Sequence, residues 1–167
     1  MKRLFAAAAL LAAFAAPAGA QSSAALVAAS AADVPPSIVV TILVPKQEMR
    51  VVVDGVEQYV WPVSTGRDGV AITPAGTFKV QSMHVITYSR LFNNAPMPYS
   101  IFYDGHYAIH GTMAIHMLGR TASMGCTRLH PDNAKILFEM VKARGPQSLR
   151  VVVVREDRFV SSTSLVR

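Results

Sequence analysis

At 167 residues the chain is long enough for one domain with a sizeable core and short for two. Its formal charge of +6 at pH 7 comes from scattered Lys and Arg without a recognition motif, which argues against nucleic acid and suits an anionic surface such as a cell wall. A single cysteine, Cys126, excludes an internal disulfide.

Met1-Lys2-Arg3 is a short basic region, Leu4 to Pro17 is an apolar run, and Ala18-Gly19-Ala20 supplies the small residues of a cleavage site. The run falls short of the roughly twenty residues that span a bilayer, so residues 1–20 read as a cleaved signal peptide rather than an anchor. Its removal takes Lys2 and Arg3 and no acid, and the charge falls from +6 to +4. Residues 21–37, with Pro35-Pro36 near the end, suit a flexible leader. The domain is then expected over 38–167, including a short C-terminal tail.

Ile38 to Val44 is a β-branched run stopped by Pro45, and Met49 to Val53 is a second. Asp54-Gly55 turns the chain into a third strand, Val56 to Val63. Ser64 to Gly76 is a Gly/Thr/Pro-rich connection, Thr77 to Val85 another strand, and 87–98 a loop. Tyr99 to Tyr103 and His106 to His110 flank Asp104-Gly105, a second hairpin signal. Pro131 to Ala143 reads as a helix with an apolar stripe of Ile136, Leu137, Met140 and Val141, stopped by Gly145-Pro146. Leu149 to Val154 has the continuous valines of a buried strand. Many short strands and one helix define a mainly β domain.

The chemistry concentrates between His110 and Arg128. Cys126 sits in a polar turn, and a lone thiol in an oxidising compartment is a hazard unless it is buried or used. His110, sixteen positions upstream at a strand end, is the candidate base, and an imidazolium there would stabilise a thiolate. His116 competes for that role on spacing. Gly125-Cys126 can present backbone N–H groups to an oxyanion. Arg128 can fork onto a substrate carboxylate or brace the loop through carbonyls. The five histidines, His84, His106, His110, His116 and His130, raise a zinc hydrolase as a rival, but their spacings match no zinc motif, so no metal or cofactor is expected.

His110-Gly111, Leu118-Gly119 and Ser123-Met124-Gly125-Cys126-Thr127-Arg128-Leu129 together resemble the active-site signature of the L,D-transpeptidase (YkuD-type) catalytic domain. Val63-Ser64-Thr65-Gly66, Thr73-Pro74-Ala75-Gly76-Thr77-Phe78, Met97-Pro98-Tyr99 and Tyr107-Ala108-Ile109 extend the likeness in order, roughly from Ile38 to Val154. The resemblance implies a β-sandwich-like domain of mixed sheets with one main helix. It implies an exported, periplasmic or wall-bound enzyme that acts on peptidoglycan stem tetrapeptides through a Cys126 acyl-enzyme. In that scheme His110 activates the thiol and the Gly111 carbonyl holds the imidazole. Gly125 and Cys126 form the oxyanion hole, and Arg128, Ser123 and Tyr99 contact substrate. The acceptor would be a second stem peptide, an outer-membrane lipoprotein, a D-amino acid or water, the last making a carboxypeptidase or hydrolase. Met124 departs from the histidine common in the family, and a non-catalytic wall-binding protein is the rival from a different class. Thr127 replaces the more usual aliphatic residue.

Overall fold

The computed structural model describes residues 36–90 and 92–156. The expected signal peptide, nearly all of the leader and the C-terminal tail lie outside the described residues. Within them are nine strands and one α-helix, arranged as two sheets with mixed pairing. The first sheet contains β1 (Ile38–Leu43), β2 (Glu48–Val53), β3 (Val56–Pro62), β4 (Gly76–Lys79) and β9 (Leu149–Val154), in the order β3-β2-β1-β9-β4. The second contains β5 (Ser82–Tyr88), β6 (Pro96–Asp104), β7 (Tyr107–Gly111) and β8 (Thr127–Leu129), in that order. Helix α1 (Pro131–Arg144) packs on β6 and β7. Among the described residues no helix is long and apolar enough to cross a membrane.

Period-two alternation builds the core. Ile38, Val40 and Ile42 of β1, Met49 and Val51 of β2, and Leu149, Val151 and Val153 of β9 are all buried on one face. They meet Ile101 and Tyr103 of β6, Ile109 of β7 and Leu129 of β8, together with the inner face of α1. Strand β9 lies between β1, to which it runs parallel, and the edge strand β4, to which it runs antiparallel. The turn at Asp54-Gly55 is the expected one, with φ of 49° and 83°.

Three readings of the sequence change. The strand expected over Thr77 to Val85 is two, β4 and β5, and they belong to different sheets. The chain changes sheet at Val80-Gln81, where Gln81 donates its N–H to Phe102 O and accepts the Gly105 N–H at Oε1. The expected loop is shorter, because β6 already starts at Pro96. Pro96 and Pro98 are tolerated since the β6–β7 ladder begins only at Ile101, so their missing N–H groups fall beyond it. The short strand β8 was not anticipated: Thr-Arg-Leu carries no strand pattern, and its parallel pairing with β7 creates it.

The helix matches the expected span to within a residue. His130 caps it by accepting the Asp132 N–H, Pro131 occupies its first turn, and Gly145 ends it at φ 88°. Its buried residues are Ala134, Leu137, Phe138 and Val141, whereas Ile136 is 39% exposed. Leu137→Ala should therefore cost about 2–5 kcal/mol in urea unfolding, and Ile136→Ala under about 1 kcal/mol. Equal costs would contradict this packing.

Candidate active site

Strand alternation assembles the site. His110 on β7 and Arg128 on β8 are register partners, and Cys126 lies two residues before Arg128. His110, Cys126, Arg128 and Ser123 line one cavity of about 700 Å³. Its far wall is apolar, with Met97, Phe102, Phe92 and Met113. Arg90 and Arg128 supply charge, and no carboxylate among the described residues lines it. Neither Arg90 nor Arg128 forms an ion pair there, so the cavity is positive and suits an anionic group.

The loop bearing Cys126 is held by a buried polar network. Thr73 Oγ1 accepts the Gly66 N–H at 2.9 Å and donates to Gly125 O at 2.8 Å. The Gln47 side chain donates to Val44 O and Thr65 Oγ1, each at 2.6 Å, and accepts the Thr65 N–H at 2.9 Å. Ser64 exchanges two backbone bonds with Arg128, and Ser123 N–H donates to Thr65 O. Gly66 must be glycine because neighbouring backbone nearly touches it, and Gly125 because of its positive φ and the Tyr107 ring against it. A Cβ on Gly66 would lie 2.0 Å from Ala71 O, and one on Gly125, at φ 106°, 2.6 Å from Tyr107 Cε1. Arg155 then pins this region from β9, pairing with Asp68 and donating to Thr73 O at 3.2 Å.

Ser123 Oγ donates to Cys126 O at 2.5 Å and accepts the Gly125 N–H at 3.1 Å. It closes the loop, and one of the two N–H groups expected to face an oxyanion is engaged by it. The half-buried Cys126 Sγ makes its contact with His106 O, at 3.6 Å. His110 Nδ1 lies 2.7 Å from Gly111 O. A carbonyl only accepts, so Nδ1 carries the proton and Nε2 keeps its lone pair. Arg128 Nη1 reaches Ala122 O at 3.4 Å, so it braces the loop while facing the cavity.

Burial sets the charge states. It pushes the Cys126 thiol up, offset in part by the Ala108 N–H and by Arg128. It lowers His110 to about 4, against the pull of the Gly111 carbonyl, and Arg128 lowers it further. Burial thus works against the charged form of both groups, and so against an imidazolium–thiolate pair.

Of the other histidines, His106 also lines the cavity, whereas His84, His116, His130 and Tyr99 lie elsewhere. His116 is exposed on a short 3₁₀ turn and does not line the cavity. His84 meets Phe102 edge-on, and His130 caps α1. Tyr99, at φ 54°, packs against Phe138 of α1 at 5.8 Å and is not among the cavity residues. Among the described residues no three His, Cys, Asp or Glu side chains are grouped to hold a metal. The sequence does not single out Gln47, and it raises His106 only among five histidines weighed for zinc. Gln47 carried no signal beyond its polarity, and His106 only its place beside the Asp104-Gly105 turn.

The L,D-transpeptidase catalytic domain (YkuD) family matches residues 37–154, and the chain belongs to that family. A relative from Bacillus subtilis (strain 168), named "Putative L,D-transpeptidase YqjB", is 28% identical over 124 residues, covering 66% of this chain and 68% of its own. The L,D-transpeptidase structure from Xylanimonas cellulosilytica is 26% identical with a TM-score of 0.62 over 72% of this chain. That from Stackebrandtia nassauensis, also 26% identical, gives 0.60 over 71%. The chain spans 62% and 55% of those two structures. A third, LdtMt1 in complex with imipenem, shares the fold at 20% identity, with a TM-score of 0.61 over 71% of this chain and 59% of its own.

The unfolded chain protonates His110 below about pH 6.5, while the native state refuses that proton until about pH 4. Stability is thus fully present above pH 6.5 and is lost as pH falls to 4, by about 3 kcal/mol. His110→Asn should flatten the stability profile in that window; an unchanged slope by thermal unfolding would contradict a buried neutral imidazole.

Proposed function

We propose that the chain is an exported cysteine L,D-transpeptidase of the periplasm or cell wall, acting on peptidoglycan stem tetrapeptides. The observation that carries this reading is the thiol of Cys126 in a positive cavity, without a carboxylate among its described lining residues, shared with an imidazole whose Nδ1 is fixed by Gly111 O. Family membership supports the peptidoglycan substrate, and the segment 1–20 supports export.

In the first half-reaction His110 Nε2 takes the thiol proton as Sγ attacks the carbonyl that precedes the terminal D-alanine. Generating the thiolate only in concert with attack fits a thiol raised by burial. The Cys126 N–H faces the developing oxyanion, and the Gly125 N–H joins it by leaving Ser123 Oγ. Arg128 holds the substrate's terminal carboxylate as a bidentate partner. The imidazolium then protonates the departing D-alanine nitrogen. In the second half-reaction an amine attacks the thioester, its proton passes through His110 to sulfur, and the thiol is restored. A stem peptide, a lipoprotein or a free D-amino acid can supply that amine.

Intact-mass spectrometry with a disaccharide-tetrapeptide and with imipenem tests the reading. A covalent adduct on the mature protein, lost in Cys126→Ala, and an amide product are expected. His110→Ala should slow turnover by about 10²–10⁴-fold. Tripeptide alone would point to a carboxypeptidase, and no adduct from folded protein with a free thiol would point to a wall-binding protein.

A further inference from the structure

The second half-reaction contains a proton count that one base does not satisfy. An aliphatic amine reaches the enzyme at neutral pH as an ammonium ion. One proton must leave before its nitrogen can attack, and a second leaves as the C–N bond forms. His110 can take the second and return it to sulfur. It is poorly suited to the first, because burial holds it at about 4 and a cation beside it would lower it further. No carboxylate among the described residues lines the cavity to accept that proton.

His106 is the other imidazole lining the cavity. It is exposed, at the turn between β6 and β7, so a proton it takes passes readily to solvent. Its own carbonyl oxygen is the contact of Cys126 Sγ, at 3.6 Å. Its ring lies on the Tyr107 ring, with centroids 4.2 Å apart and planes at 33°. The Tyr107 ring in turn fills the space where Gly125 lacks a side chain. The imidazole is thus fixed, through one stacked ring, to the loop that carries the nucleophile.

Resting on the transpeptidase reading, we propose that His106 is the base that deprotonates an ammonium acceptor, and thereby sets how the acyl-enzyme divides between amine and water. R–NH₃⁺ gives one proton to the His106 ring, which releases it to solvent. The freed amine attacks the thioester carbon, forming C–N. Its second proton moves to His110 Nε2, the C–S bond breaks, and the sulfur takes that proton back. Water needs only the later transfer, through His110. Loss of the His106 ring should therefore penalise aminolysis and spare hydrolysis.

The test compares wild type, His106→Gln and His106→Ala on disaccharide-tetrapeptide with excess D-methionine, reading amide and tripeptide products by mass spectrometry. Imipenem acylation is followed in parallel. The amide-to-tripeptide ratio should fall at least about tenfold in both variants, while acylation slows by less than about twofold. Added imidazole should restore the ratio in His106→Ala. An unchanged ratio, acylation falling in step with aminolysis, or wild type giving only tripeptide would overturn the assignment to His106. Wild type that is not acylated at all would overturn the transpeptidase reading itself.

Discussion

Everything at the site depends on one hydroxyl. Thr73 Oγ1 joins the Gly66 N–H to the Gly125 carbonyl, tying two loops from distant parts of the sequence at the point where their backbones nearly touch. Each of those groups is buried, so leaving either unpaired would cost about 1–3 kcal/mol. The bond therefore does more than add stability. It fixes the turn whose next residue is Cys126, and Gln47 and Arg155 brace the neighbouring Thr65 and Thr73.

The same enclosure that positions the cysteine and histidine also suppresses their charges. A thiol and an imidazole facing open solvent would be easier to ionise, but more exposed to oxidants and stray electrophiles. Here burial raises one group and lowers the other, so both favour their uncharged forms. Among the described residues no acidic side chain lines the cavity beside Arg90 and Arg128, which leaves their charge for a ligand.

The sequence was most legible where residue types were chemically scarce. One cysteine, a His-Gly pair upstream and a Gly-Cys-Thr-Arg run left few arrangements, and His110, Cys126, Ser123 and Arg128 do meet in one cavity. Tyr99 was chosen on motif alone, and strand direction carries its ring to the helix side instead. The change of sheet after Lys79 escaped notice because strand-forming residues continue on both sides of it. On α1, Ile136 and Phe138 are equally apolar, and only the neighbouring sheet decides which is covered. The neutral state of the pair was illegible for a related reason: burial is a property of the assembled fold, not of the spacing between two residues.

The position of β9 has a bearing on when the site comes into being. Strand β9, inserted between β1 and β4, is the last of the described strands to be synthesised, and it pairs with β1 from more than a hundred residues away. Such a distant closure is slow, and nothing shorter can substitute for it. Arg155, just beyond that strand, is also the residue that anchors Asp68 and Thr73. A nascent chain therefore carries Cys126 as an ordinary unfolded thiol. Cys126 acquires its surroundings only late in folding, once β9 and Arg155 have emerged and paired.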